Sequence, residues 1–222
     1  TQINMTLDGQ QRWWPSVVIG DNTTGYFNLA LNAHEMYHGF GLGHSAVRDA
    51  NWAVTDVNQW DPVGIVACMF GDCNPHHIPA PQKDELGWID ADKIYTATLA
   101  NQTITLEALA LPQTNNYLMA KIPLGRDNFY TLEARRPAGA DSKVPGAAVI
   151  IHEVDWSPPC APGDTSCPNG YIRLVPVPGL ADPSGTGAMW TVGRVFSDTT
   201  RGVTVTVVAS TTTGFQVQIE TR

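Results

Sequence analysis

The chain contains the run His34-Glu35-Met36-Tyr37-His38-Gly39-Phe40-Gly41-Leu42-Gly43-His44, whose pattern is H-E-x-x-H-x-x-G-x-x-H. On an α-helix, His34 and His38 lie one turn apart on the same face, so both imidazoles can reach one metal ion. Gly41 permits a sharp bend at positive φ that ends the helix, after which His44 can return to the same ion. The spacing therefore predicts a metal-binding helix followed by a third ligand.

The same run also predicts the kind of metal site. Three protein ligands leave a fourth position open, which is typical of a catalytic zinc site rather than a structural one. Glu35 follows His34 and is placed to act as a general base toward a water molecule. The alternative is a chance occurrence of H-E-x-x-H on a soluble helix, but the longer pattern is expected in only roughly one random window in ten million. We therefore interpret His34, His38 and His44 as zinc ligands and Glu35 as the catalytic residue.

Two further motifs follow the histidine run. They are Asp61-Pro62-Val63-Gly64-Ile65-Val66-Ala67-Cys68-Met69-Phe70-Gly71 and Ala80-Pro81-Gln82-Lys83-Asp84-Glu85-Leu86-Gly87-Trp88-Ile89. With the histidine run, they resemble the metzincin metallopeptidases of the gametolysin type over roughly residues 28–90. The resemblance implies that Met69 forms the methionine turn, which packs beneath the ligand imidazoles. Many metzincins have a tyrosine two residues after that methionine. Gly71 occupies this position, so no fifth ligand is expected.

The resemblance implies an α+β fold in which residues 1–94 form a metzincin-like zinc peptidase domain. This domain would consist of the zinc helix, the methionine turn and a C-terminal helix. Helix signals start near Asn28, and the second helix is expected to begin at Pro81. Only 33 residues precede His34, which leaves room for one strand at residues 16–19 but not for the sheet that such domains carry there. The domain is therefore expected to be truncated: either the chain is a processed fragment, or a partner segment supplies the missing strands.

The hydrophobic pattern changes from a helical period to a period of two at about residue 94. Short runs rich in β-branched and aromatic residues then alternate with turn residues at nearly regular spacing. The runs cover residues 95–99, 103–106, 117–120, 129–132, 148–152, 171–174, 203–208 and 215–219. This pattern is typical of an antiparallel β-sandwich, so we expect a separate sandwich domain over residues 95–222.

The charge of the chain restricts its partners. The formal net charge is −8, and lysine and arginine do not cluster, so we expect neither a nucleic acid nor a membrane as partner. No apolar run reaches transmembrane length. The acidic loops admit a calcium site in addition to the zinc site, although none of them has the EF-hand spacing.

The four cysteines form two close pairs along the chain. Each pair can close a small loop, which favours an oxidising compartment, while the alternative is four free thiols. The expected disulfides are Cys68–Cys73 and Cys160–Cys167. N-glycosylation sequons occur at Asn4, Asn22 and Asn101. They agree with secretion, although about two would arise by chance in a threonine-rich chain. We expect a secreted, extracellular glycoprotein.

Four other polar residues are assigned structural roles. His76 and His77 lie in a proline-flanked loop and are expected to be exposed to solvent. His152 is expected to be a strand residue that is satisfied by hydrogen bonds. Asp61 is expected to cap a turn.

Together these observations predict a secreted zinc endopeptidase that acts on extracellular, cell-wall or matrix proteins or peptides. One alternative is a catalytically weak, peptidase-derived binding module that retains zinc. Another is a zinc hydrolase that acts on a different kind of bond. The intact ligand set with Glu35 favours the peptidase, because a decayed site usually loses the glutamate or a ligand. The short N-terminal region favours the binding module.

Overall fold

The computed structural model of the chain describes residues 2–7, 10–15, 29–48, 54–55, 58–64, 76–98, 101–111, 113–157 and 171–222. Within these ranges the chain forms two α-helices and thirteen β-strands. The helices are α1 (Leu29–Gly39) and α2 (Ala80–Glu85). The strands are β1 (Gln2–Leu7), β2 (Gln10–Pro15), β3 (Ala46–Arg48), β4 (Val54–Thr55), β5 (Ile94–Thr96), β6 (Gln102–Glu107), β7 (Met119–Pro123), β8 (Asn128–Arg135), β9 (Ala148–Asp155), β10 (Ile172–Leu174), β11 (Val195–Asp198), β12 (Val203–Ser210) and β13 (Gly214–Thr221).

The strands are arranged in three sheets. Strands β1 and β2 form an antiparallel hairpin. A seven-stranded sheet has the order β4-β3-β10-β9-β8-β7-β5, and a four-stranded sheet has the order β11-β12-β13-β6. Among these strand pairs, β3 with β10 and β5 with β7 are parallel, and the others are antiparallel.

The main hydrophobic core lies between the four-stranded sheet and one face of the seven-stranded sheet. Leu132 of β8 packs there with Val205 of β12 and Val217 of β13. Because successive side chains of a strand point to opposite faces, Glu133 and Arg135 of β8 lie on the other face of the sheet from Leu132. Glu133 and Arg135 are fully buried on that second face, where α2 contacts β8. The seven-stranded sheet is therefore covered on both sides along β8.

The structure contradicts the expected α+β class. The described residues are mostly β, with α1 and α2 as their only α-helices, and they form no helix-rich catalytic domain. No strand is expected between the two helices from the sequence, yet β3 and β4 lie there. Strand β3 pairs with β10, so the seven-stranded sheet contains strands from both sides of residue 94. The two packed sheets do form a sandwich, but a mixed one rather than a purely antiparallel one.

Strands β3 and β4 could not be expected from the sequence because they are short. Strands of three and two residues carry too few alternating positions for their period to be recognised in a sequence. They are specified by tertiary packing instead, because Ala46 and Val47 are fully buried and pair with Arg173 and Leu174 of β10. The strand expected at residues 16–19 lies outside the described residues.

Candidate metal centre

Three histidines converge at the C-terminal end of α1. His34 and His38 lie one turn apart in the helix, and the chain bends at Gly41, whose φ is 93°. This positive φ is the conformation that the glycine in the motif predicts. The Nε2 atom of His38 lies 3.1 Å from Nε2 of His34 and 3.1 Å from Nε2 of His44. The bend thus brings the third histidine of the motif back to the first two.

Backbone carbonyl groups fix the direction of two of these rings. Nδ1 of His34 donates to the carbonyl oxygen of Pro62 at 3.0 Å, and Nδ1 of His38 donates to that of Leu42 at 2.8 Å. A carbonyl oxygen only accepts, so in each neutral ring the proton is on Nδ1 and a lone pair is on Nε2. Two lone pairs that face each other at 3.1 Å repel unless a cation lies between them. Histidines that bind metals typically donate their second ring N–H to a carbonyl or carboxylate group in this way.

The three Nε2 atoms fit the dimensions of a zinc site. Zn–N bonds of about 2.0–2.1 Å in a tetrahedron place ligand nitrogens about 3.3 Å apart, close to the two 3.1 Å separations between the histidine rings. In the part of the chain that the structure describes, these histidines are the only group of three or more His, Cys, Asp or Glu side chains whose ligand atoms, all within 4.8 Å of one another, could hold one ion. All three side chains are partly exposed, so solvent can reach the centre.

Glu35 is the residue that follows His34 on α1. Successive residues of an α-helix are offset by about 100°, so Glu35 projects from the flank of the face that presents the histidines. Its side chain is partly exposed to solvent. A carboxylate in this position can exchange a proton with a water molecule beside the histidines.

Asp61 supports the turn that carries Pro62. Its side chain is fully buried, and its Oδ1 accepts a hydrogen bond from the backbone N–H of Val63 at 2.9 Å, so Asp61 caps the turn as expected. Its Oδ2 accepts from Nε2 of Gln82 on α2 at 3.3 Å. Burial raises the pKa of this carboxyl group, while a side-chain hydrogen bond with Ser45 opposes the rise. The turn is thereby tied to both its own backbone and α2.

A buried ion-pair cluster attaches α2 to the seven-stranded sheet. Arg135 of β8 donates from Nε to Asp141 at 2.8 Å and from Nη1 to Glu133 at 3.1 Å, and none of the three side chains is exposed. Glu133 also accepts from the backbone N–H of Ala80, the first residue of α2. Sequence reasoning missed this cluster. The sequence does contain a signal for it, namely two opposite charges two residues apart. This spacing places Glu133 and Arg135 on one face of a strand.

His76 and His77 do not join the metal centre. His76 is 7% exposed, so the expectation that it faces solvent is wrong. His77 is half-buried, and Nζ of Lys83 donates to its Nδ1 at 2.9 Å. Burial and the neighbouring Lys83 lower the pKa of His77 to about 4.

His152 is fully buried in β9, on the same face of the sheet as Glu133 and Arg135. Neither of its ring nitrogens has a hydrogen-bond partner among the described residues, so the expectation that hydrogen bonds satisfy this side chain is wrong. Burial and the charge of Arg135 lower its pKa to about 3. The neutral imidazole is therefore the form that the fold accommodates.

Several residues singled out in the sequence lie outside the described ranges. They are Met69, the proposed turn methionine, and the four cysteines Cys68, Cys73, Cys160 and Cys167. The methionine turn and both disulfides therefore stay predictions. Within the described ranges, no helix is long and apolar enough to cross a membrane.

The candidate metal centre consists of side chains that the fold brings together. His34 and His38 come from one helix, and the bend at Gly41 adds His44. Comparison of the chain with protein-family models, with curated proteins and with solved structures gives no match.

Proposed function

We propose that this chain is a zinc-dependent endopeptidase whose metal centre resembles that of the metzincins. The observation that carries the proposal is the convergence of the Nε2 atoms of His34, His38 and His44, with two separations of 3.1 Å. Glu35 is adjacent in sequence to the first of these ligands. Three neutral imidazoles that leave a coordination position open, with a carboxylate as base, are one set of residues that supports metal-assisted hydrolysis of a peptide bond.

Each residue of the centre has a definite role in this proposal. His34, His38 and His44 hold the ion as neutral ligands, so they leave its positive charge uncompensated. When bound, zinc supplies Lewis acidity that polarises the scissile carbonyl group and lowers the pKa of water. Glu35 removes a proton from the attacking water and returns it to the leaving amine. The carbonyl groups of Pro62 and Leu42 keep two of the imidazoles in the tautomer that binds metal.

The proposed substrates are proteins or peptides outside the cell. Support for secretion comes from the spacing of the cysteines and from the sequons. Among the sequon asparagines, Asn101 directly precedes β6 and is exposed to solvent, as a glycosylated asparagine must be. The proposed disulfides, Cys68–Cys73 and Cys160–Cys167, can be checked by peptide mapping without reduction. A cross-linked peptide that joins one pair to the other would refute the pairing.

A second candidate is a peptidase-derived binding module that retains zinc without hydrolysing peptides. The high proportion of β structure favours this candidate, because α1 and α2 are the only α-helices among the described residues. A zinc hydrolase with another substrate would share the metal centre. One assay with the full chain distinguishes the peptidase from these two alternatives.

The assay measures hydrolysis of casein or gelatin by zinc-loaded protein, with and without a chelator. We expect hydrolysis that the chelator abolishes. The variant Glu35→Gln keeps the shape of the side chain but not its basicity, so turnover should fall about a hundredfold or more while zinc stays bound. Asp92→Asn is the matched control, because Asp92 is an exposed carboxylate with a side chain that is 74% accessible.

The outcomes separate the peptidase from the other two candidates. Zinc binding without hydrolysis of any peptide substrate would favour the binding module or the other hydrolase over the peptidase. Unchanged turnover in Glu35→Gln, with Asp92→Asn also unchanged, would remove Glu35 from the mechanism.

A further inference from the structure

Gln82 connects two loops that surround the metal centre. Its side chain is fully buried on α2. Nε2 of Gln82 donates to the carbonyl oxygen of Gly43 at 3.2 Å and to Oδ2 of Asp61 at 3.3 Å. One loop runs from Gly41 to His44, and the other is the turn at residues 58–64. A single amide group therefore bridges segments that lie far apart in the sequence.

Each bridged loop supplies a contact that orients the metal centre. The first loop contains His44 itself and also Leu42, whose carbonyl oxygen accepts from Nδ1 of His38 at 2.8 Å. The second contains Pro62, whose carbonyl oxygen accepts from Nδ1 of His34 at 3.0 Å. Gln82 contacts the immediate neighbours of these groups, namely Gly43 and Asp61. A shift of either loop would therefore rotate a ligand ring.

Helix α2 is itself held in place, so it can act as a support. The backbone N–H of Ala80 at its start donates to the buried carboxylate of Glu133. At its end, Glu85 accepts from the hydroxyl group of Tyr171 at 2.8 Å. The ring of Tyr171 also lies against Gly43, where a Cβ atom would come within 3.3 Å of its Cε1 atom. Both ends of α2 are thus fixed to the seven-stranded sheet or to residues that adjoin it.

We propose that Gln82 is a positioning residue for the metal centre, because its amide group holds both loops in the arrangement in which the histidine Nε2 atoms converge. The inference rests on the proposed zinc site. Loss of an outer contact to a metal ligand typically weakens metal affinity by about 10- to 100-fold. We expect the same range for loss of the amide donor of Gln82, since it acts on both loops at once.

The test uses two variants of the full chain. Gln82→Met keeps the length of the side chain but removes the donor, and Gln82→Glu keeps the shape but puts an acceptor against two acceptors. Zn²⁺ affinity is measured by competition with a chromophoric chelator. The visible spectrum of bound Co²⁺ reports the coordination geometry. Val217→Ala is the control, since Val217 is fully buried in the sandwich core and its loss destabilises the fold away from the metal centre.

We expect a 10- to 100-fold rise in the Kd for Zn²⁺ and an altered Co²⁺ spectrum in either Gln82 variant, at a temperature where circular dichroism shows it to be folded. Val217→Ala should melt at a lower temperature but keep the wild-type Kd and spectrum. Wild-type Kd and spectrum in a folded Gln82 variant would overturn the inference while leaving the zinc site intact. Failure of both variants to fold would also overturn it, since Gln82 would then be required for the fold as a whole. Absence of Zn²⁺ binding by the wild-type chain would overturn the proposed function itself.

Discussion

His34 and Pro62 are 28 residues apart in sequence, yet Nδ1 of His34 donates to the carbonyl oxygen of Pro62 at 3.0 Å. This contact fixes both the tautomer and the orientation of the imidazole. The candidate metal centre is therefore not a property of α1 alone. It depends on the turn at residues 58–64, which α2 in turn holds through Gln82 and Asp61. Changes outside the motif are thus expected to alter metal binding.

We expect the bend at Gly41 to be required for metal binding as well as for the stability of the fold. Gly41 has a φ of 93° and Gly193 a φ of 86°, both in a region where a Cβ atom costs about 1–2 kcal/mol. We expect Gly41→Ala and Gly193→Ala to lower the free energy of unfolding by similar amounts in urea titrations. Only Gly41→Ala should weaken Zn²⁺ binding, because only that glycine leads into His44.

Gly193→Ala is the control because Gly193 precedes β11 of the four-stranded sheet, and nothing lies within 4 Å of the position that its Cβ would occupy. Equal Zn²⁺ affinity in both variants would show that His44 reaches the metal without the bend, and the proposed role of Gly41 would then be wrong.

The buried cluster around Arg135 should contribute far more to stability than a similar ion pair near the surface. Arg135→Met leaves Glu133 and Asp141 buried without their cation, which typically costs about 3–5 kcal/mol. Arg201→Met removes a pair with Glu153 whose arginine side chain is 41% exposed, and such pairs contribute about 0–1 kcal/mol. Urea unfolding of the two variants, under identical metal conditions, gives the comparison. Similar losses in both would mean that burial of the cluster is not what makes it important.

His152 should make the fold sensitive to acid. The pKa of His152 is lowered from 6.5 to about 3 in the folded chain. Between these two pH values, the imidazole is therefore protonated in the unfolded chain and neutral in the folded chain. The free energy of unfolding should therefore fall as the pH drops from about 6.5 toward 3, by up to roughly 1.4 kcal/mol per pH unit from this residue. The stability that the neutral form of His152 provides is fully present above pH 6.5.

The measurement compares unfolding of the wild-type chain and His152→Leu at several pH values, with a chelator present so that metal binding does not contribute. The variant should lose less stability than the wild type between pH 6 and pH 4. The pKa of His77, lowered to about 4, adds a slope of the same sign to both proteins and cancels in the difference. Parallel pH profiles would mean that His152 is not kept neutral by the fold.

Local patterns in the sequence predicted the elements that are long or chemically distinctive. Helix α1 appears where the histidine spacing and the apolar residues predict a helix, and Gly41 has the predicted positive φ. Strands β12 and β13 each contain eight residues, enough for period-two alternation to be visible.

What could not be predicted depends on contacts between distant segments. Strand β3 has three residues and gains its partner, β10, from beyond residue 170. The spacing of the histidines predicted their convergence, but the α+β fold that the resemblance to the metzincins implied is wrong, because the described residues are mostly β. The burial of Glu133 and Arg135 follows from α2 covering the second face of the sheet, which strand alternation alone does not indicate. The local geometry of the histidine motif was therefore more predictable than the architecture.

The most direct test of the metal centre is the zinc content of the purified full chain after loading with zinc and dialysis against metal-free buffer. The convergence of His34, His38 and His44 predicts about one zinc per chain, and none in a variant with all three replaced by alanine. A folded wild-type chain that retains no zinc, or a triple variant that retains as much as the wild type, would contradict the proposed zinc site.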